Sequence, residues 1–309
     1  MLRIILLLTI LLAVTCTPAS QSKESSTVDL MVLGVAQDAG YPQAGCNLNC
    51  CTKVWSDPTQ ARMISSLGLV DHQSQHHWVF DATPDFPQQI KMLEDEFNYE
   101  LEGVWLTHAH IGHYTGLMYL GHEVMGAESV PVYAMPRMQH YLKNNGPWSQ
   151  LVSMNNIELK NIEHNQSVVL NPRITVTPLS VPHRDEYSET VGYRIVGPKK
   201  KALFIPDINK WNIWERSLVD EIAQVDWVFV DGTFFADGEL PNRDMSKIPH
   251  PMVSETMDLL ADISHNEKAK VYFIHLNHTN PLLSTTSTAY KNVIDAGFNV
   301  AQQGQVFNL

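Results

Sequence analysis

The segment "WLTHAHIGHYTGL", residues 105–117, sets His108, His110 and His113 in an H-x-H-x-x-H spacing directly behind an apolar run. On an extended segment, side chains two apart point the same way. His108 and His110 therefore share a side, and His113 has to return to them after a sharp turn. Neutral imidazoles converging this closely are the usual inner ligands of zinc or another borderline metal. A chain with such a cluster must bring strand ends to one edge and fix the loops beyond them on a rigid scaffold. Gly112 stands inside the cluster, where a metal-binding carboxylate would be expected, and glycine permits the turn without steric cost.

Later segments repeat the theme. His183 ends "LSVPH", Asp207 ends "ALFIPD" and His275 ends "VYFIH", each behind a hydrophobic strand. Elsewhere, "VDLMVLGVAQD", "SSLGLVD", "HHWVFDATPD", "LEGVWLTHAH", "VPVYAM", "TVGYRIVG" and "VDWVFVDG" also read as strands. A Gly/Pro/Cys loop follows the first of them through residue 51. Helices are expected at "FPQQIKMLEDEF", "TGLMYLGHEVM", "PMVSETMDLLADIS" and "STTSTAYKNVIDAG". No linker, fixed-period repeat or low-complexity segment divides residues 28–309, so one domain is expected there. With 309 residues, 44% of them hydrophobic, the chain can bury one large core.

The formal charge of −12 repels phosphate backbones, and no basic patch offsets it, so no nucleic-acid partner is expected. Lys199-Lys200-Lys201, between "VGP" and "ALFI", reads as a solvated hairpin turn.

The start, "MLRIILLLTILLAVTC", has one Arg, an apolar run too short to span a bilayer comfortably, and small residues ending at Cys16. This is an export signal over residues 1–15, with residues 16–27 as a polar tether. Ala13 to Cys16 resembles a bacterial lipobox, which makes Cys16 the lipid attachment point and the cell envelope the expected location, facing the periplasm. Ordinary cleavage to a soluble exported protein is the alternative. Cys46, Cys50 and Cys51 cluster in "GCNLNCC". Export favours disulfides, whereas three adjacent thiols suit a metal clip, and both readings stand.

"THAHIGH", "VPH", "IPD" and "IHLNH" together resemble the ligand order of the metallo-β-lactamase superfamily, H-x-H-x-D-H followed by His, Asp and His. Within it, residues 28–309 are similar to the B proteins of pyrroloquinoline quinone biosynthesis and, more distantly, to the cyclic phosphodiesterases of phosphonate metabolism. The similarity rests on "VLGVAQDAGYPQAGCNLNCC", "WVFDATPDFPQQI", "HPM", "FIHLNHTNP" and "GFNVAQQGQVF". It implies an α/β fold, a four-layer αββα sandwich of two mixed sheets with helices on the outer faces.

It also implies that His108, His110 and His183 hold a first metal, and that His113, Asp207 and His275 hold a second, with Asp207 bridging. Zinc is the expected ion, one or two in the active site, with iron or manganese as alternatives. The family's aspartate falls on Gly112, which would leave the second metal more open and more positive. His250, in "IPHPMVSE", matches a leaving-group acid of the phosphodiesterases; on the residues alone it is equally a loop or cap histidine. Asp231, in "FVDGTFF", either holds a ligand histidine or forms a turn before Gly232. Cys46, Cys50, Cys51 and His278 match, with one thiolate displaced, the structural zinc of the phosphodiesterases.

The implied activity is a metallo-hydrolase with Asp207 or His250 handling the proton on a small-molecule substrate: an ester, lactone, amide or phosphodiester. An iron-dependent oxidative enzyme and a non-catalytic metal-binding scaffold are the competing readings. Oligomeric state is not legible in the sequence.

Overall fold

The run VDLMVLG at Val28–Gly34 is apolar at nearly every position, and a strand with that pattern needs cover on both faces. The computed structural model describes residues 27–309, and such cover is what it supplies. The signal at residues 1–15, Cys16 and nearly all of the tether lie outside the described residues. Among the described residues no helix is long and apolar enough to cross a membrane.

Strands β1 (Val28–Gly34), β2 (Ser66–Asp71), β3 (His76–Phe80), β4 (Glu100–Trp105), β5 (Val130–Ala134) and β6 (Ile157–Asn161) run in order across the first sheet. Strands β7 (Val168–Asn171), β8 (Ile174–Ser180), β9 (Val191–Val196), β10 (Lys201–Ile205), β11 (Trp227–Asp231), β12 (Val271–Ile274) and β13 (Asn299–Val300) build the second. The last strand, β14 (Val306–Asn308), returns to pair antiparallel with β1. Each sheet starts antiparallel and turns parallel, from β3 to β6 in one and from β10 to β13 in the other. The loops after β3, β4, β10, β11 and β12 thus leave parallel strands at their carboxyl ends, where open α/β sheets collect their sites.

Phe80, Trp105, Tyr193, Phe204, Phe229 and Phe307 fill the space between the sheets. Separate apolar clusters join each outer face to its helices, Phe86–Phe97 and Pro136–Asn144 on the first sheet, Val253–Leu259 and Thr288–Asp295 on the second. The expected four-layer αββα sandwich is therefore the observed one. Lys199-Lys200-Lys201 lies in the β9–β10 hairpin, with the Lys200 ammonium 4.3 Å from the centre of the Trp227 ring.

Two local expectations need correction. The cysteine loop becomes a helix at Asn49–Ser56, so Cys50 and Cys51 lie in its first turn rather than in irregular chain. "TGLMYL" forms a 3₁₀ helix at Thr115–Leu120, not an α-helix. Its Gly116 presses against the preceding segment so closely that a Cβ would stand 2.0 Å from the Thr83 carbonyl oxygen, and the chain turns again at Gly121.

Trp105 is fully buried, stacked on Tyr133 at 4.0 Å and edge-on to Tyr193 at 5.5 Å. The Tyr193 hydroxyl donates to the Leu106 carbonyl, tying the second sheet to the segment that leads into the histidine cluster. Trp105→Ala should lower the unfolding free energy by about 3–5 kcal/mol, read as a shift of the urea midpoint at unchanged slope. A loss below about 1 kcal/mol would mean that the inter-sheet core is not organised around this ring.

Candidate metal centre

The end of β4 runs through Leu106 and Thr107 into His108 and His110, and the short helix Ile111–Tyr114 returns His113 to them. His183 follows β8, Asp207 follows β10 and His275 follows β12. Their ligand atoms meet at one edge. Oδ2 of Asp207 lies 3.4 Å from His108 Nε2, 3.2 Å from His183 Nε2, and 4.0 Å from both His110 Nδ1 and His113 Nε2. His108, His110, His183 and Asp207 form one group whose ligand atoms all lie within 4.8 Å of one another.

His113 and His275 form a second group, and the third member is Asp38, from the loop after β1. This residue was not among those singled out from the sequence, although "VAQDAG" carries it. Its Oδ1 lies 2.9 Å from His113 Nε2 and 3.5 Å from His275 Nε2. The expectation that Gly112 leaves the second group without a carboxylate of its own is therefore corrected.

The outward ring nitrogens fix the tautomers. Thr107 donates its hydroxyl to Asp81 and so accepts at 3.0 Å from His108 Nδ1–H. His113 Nδ1–H donates to Asp81 at 2.7 Å, His183 Nδ1–H to Asn209 at 3.1 Å, and His110 Nε2–H to Glu186 at 3.2 Å. Thr233, whose hydroxyl is committed to Asp231, accepts at 2.9 Å from His275 Nδ1–H. In its neutral form each ring thus turns a lone pair inward.

His108 Nε2 and His110 Nδ1, two such acceptors, stand 2.9 Å apart. His113 Nε2, His275 Nε2, Asp38 Oδ1 and Asp207 Oδ1 are buried without a hydrogen bond. Such an arrangement is costly unless a cation occupies it. The donor set of imidazoles and carboxylates suits zinc, and equally iron or manganese.

The surrounding electrostatics divide the rings: burial lowers His113, but Asp81 and Asp38 outweigh it and hold that ring well above its ordinary pKa until a cation replaces the proton. Burial pushes the His108 ring well below its ordinary pKa, helped by His113. Burial would raise Asp207, yet the charges of His250 and His183 hold it well below the usual carboxylate range. Asp81 and His275 have positive φ, 70° and 65°, a strained conformation for such residues and one that clusters at functional sites.

His250 stands beside this centre. Its Nδ1–H donates to Asp231 at 2.8 Å and lies 3.2 Å from Asp207 Oδ1. Burial lowers its pKa, but Asp231 and Asp207 outweigh that and raise it to about 9. Of the two readings of Asp231, the structure has it hold His250 directly and His275 through Thr233; it also accepts from the Thr233 and Ile208 amides. His250, Arg184, Arg243, Gln37 and Phe234 line a cleft of about 240 Å³. Neither arginine forms a salt bridge among the described residues.

Cys46, Cys50, Cys51 and His278 form a separate group within ligand distance. The three thiols are free, with Cys46 Sγ 3.7 Å from Cys50 Sγ. His278 Nδ1–H donates to Asn277, leaving Nε2 as a ligand atom. Burial, with its neighbours' charge, pushes the Cys51 thiol up to about 12, so three thiolates this close require a cation.

The sequence profile of the Beta-lactamase superfamily domain matches residues 76–276, well over half of the chain. Coenzyme PQQ synthesis protein B of Methylorubrum extorquens is 23% identical over 305 residues, spanning 91% of this chain and 99% of that protein. The zinc-bound structure of PqqB from Methylobacterium extorquens superposes with a TM-score of 0.75 at 23% identity, covering 91% of this chain and all of that one. A diphosphatase of the PhnP family gives a TM-score of 0.64 at 21% identity, over 92% and 97% of the two chains.

The two ligand sets should separate by elemental analysis of protein purified without added metal. Cys51→Ser should lose one zinc per chain and keep those that depend on His108, and His108→Ala the reverse. Simultaneous loss of all metal in both variants would mean that the clusters do not bind independently.

Proposed function

The chain belongs to the β-lactamase superfamily, and from that premise we propose that it is a metal-dependent hydrolase acting on a small anionic substrate, a phosphodiester before a neutral ester or lactone. The observation that carries the reading is the set of inward lone pairs and buried unpartnered carboxylate oxygens around Asp207. His108, His110, His183 and Asp207 would hold one ion, and Asp207 with His113 and His275 would border a second. Divalent ions held there supply Lewis acidity and make water acidic enough to attack at neutral pH.

The chain's own residues would do the rest. Asp207 Oδ1, turned away from the imidazoles toward His250, is an acceptor for the attacking water's proton. His250, fixed through Nδ1 to Asp231, keeps Nε2 free to protonate a leaving oxygen in the cleft. Arg184 and Arg243 offer two permanent cations to an anionic substrate on a protein whose net charge is −12. They favour the phosphodiester over the neutral alternatives.

Asp38, His113 and His275 are also a two-histidine, one-carboxylate set, the donor arrangement of non-haem iron oxygenases. That observation supports the second reading, an iron-dependent oxidative enzyme like the role suggested by similarity to PqqB. Iron content and oxygen consumption separate the two.

Zinc-loaded enzyme should hydrolyse bis(p-nitrophenyl) phosphate faster than p-nitrophenyl acetate, and lose both activities to a chelator. His250→Ala should cost about 100-fold or more in kcat with an alkyl leaving group but little with p-nitrophenolate, which departs without a proton. Replacing Arg184 and Arg243 together by Ala should raise KM about 10-fold. Chelator-resistant activity, or preference for the neutral ester, would sink the proposal.

We further propose that the domain is anchored at the envelope through Cys16. Cys16→Ser should move the protein from the membrane fraction to the soluble periplasmic fraction, and its retention in membranes would argue against the lipid.

A further inference from the structure

We infer that Asp38 is the carboxylate ligand of the second metal group, moved there from the histidine turn, and that Gly112 is glycine because the Asp38 segment occupies the space a side chain would need. The inference rests on reading the cluster as a metal centre, but not on which reaction that centre catalyses.

Steric, bonding and backbone observations converge. A Cβ on Gly112 would lie 2.4 Å from Asp38 Oδ1, 2.5 Å from its Cα and 2.9 Å from its Cβ. The clash reaches the backbone, so rotation of the Asp38 side chain cannot relieve it. A carboxylate at position 112 and the present course of residues 37–40 are therefore mutually exclusive.

An ordinary ion pair would explain Asp38 differently, as the hydrogen-bonded partner of a protonated His113. The geometry does not favour it. Asp38 Oδ1 is 2.9 Å from His113 Nε2, and the same oxygen stands 3.5 Å from His275 Nε2, so it faces two rings at once rather than pairing with one. Three buried ligand atoms, each within 4.8 Å of the others, are disposed around a common point.

The backbone shows how a ligand so far along the chain is kept in place. Gln37 N donates to the Leu276 carbonyl at 2.9 Å, Leu276 N donates to the Val35 carbonyl at 2.7 Å, and Ala36 bridges both Ile64 and Leu276. Asp38 follows Gln37 directly, and His275 precedes Leu276 directly. The two ligands are thus set by one short ladder that joins the first sheet's leading loop to the end of β12.

The test is zinc binding by the full chain. Metal-stripped protein is titrated with Zn²⁺ against a chromophoric chelator, with the ion lost in Cys51→Ser counted apart. Wild type should take up ions at both histidine groups. Asp38→Ala and Asp38→Asn should weaken the ion that depends on His113 and His275 by on the order of 100-fold or more, while the ion that depends on His108 and His183 binds as before. That retained site is the control for folding, along with an unchanged unfolding midpoint in the absence of metal. Gly112→Ala should reproduce the defect from the other side of the contact, and Gly112→Asp should add no ligand but expel one. If Asp38→Ala binds both ions as tightly as wild type, Asp38 is only an ion-pair partner and the inference is overturned. If wild type itself binds no zinc through its histidines, the metal-centre reading falls with it, and that is visible before any variant is made.

Discussion

Five histidine rings and two buried carboxylate oxygens gathered into two adjoining groups are the constraint around which this structure is organised. Lone pairs 2.9 Å apart repel, and burial removes the water that would otherwise screen them. Such a group persists only where a cation resolves it and where the surroundings prevent the rings from turning away. The sandwich provides the second condition: parallel strands in both sheets end at the same edge, and the aromatic layer between the sheets holds those ends in register.

The two halves solve the ring-orientation problem in the same way. Asp81, directly after β3, accepts from the amide and hydroxyl of Thr107 and holds His113, while the Thr107 oxygen orients His108. Asp231, at the end of β11, accepts from the amide and hydroxyl of Thr233 and holds His250, while the Thr233 oxygen orients His275. In each case one aspartate and one threonine fix two histidines. The device works because a threonine hydroxyl has a single proton; once that is committed to a carboxylate, its oxygen can only accept, and the facing ring nitrogen must be the protonated one. In a neutral ring the inward nitrogen is then the lone pair, whereas His250, raised to about 9, carries a second proton there.

Much of this was legible in the sequence because it is local. Apolar runs ending in His or Asp mark strand ends, and the H-x-H-x-x-H spacing brings three rings together whatever the rest of the chain does. The helix Phe86–Phe97 follows its amphipathic pattern from end to end. What escaped depends on contacts between distant segments. The 3₁₀ turn at Thr115–Leu120 is imposed by the approach of Gly116 to Thr83, and no periodicity in "TGLMYLGHEVM" records it. Asp81 was visible within "WVFDATPD", but its part in the site depends on Thr107 lying across the β3–β4 pairing. Asp38 was hidden most completely. Nothing within "VAQDAG" says that Asp38 meets His113, and the only trace was negative, a glycine where a carboxylate was expected.

That glycine also changes what the centre depends on mechanically. A carboxylate at position 112 would belong to the same turn as His110 and His113, so beyond the shared Asp207 the second ion could be gathered from β4 and β12 alone. With Asp38 in its place, the ligands come from the loop after β1, the turn after β4 and the end of β12, three segments drawn from both sheets. The loop bearing Asp38 continues to Cys46 and into the helix carrying Cys50 and Cys51, whose fourth partner, His278, lies three residues beyond His275. One loop therefore meets the β12 end twice, once at the histidine cluster and once at the thiol cluster. An ion at either point would restrain the other by shortening the free chain between them, which would make the thiol cluster a means of positioning Asp38 as well as of closing a loop.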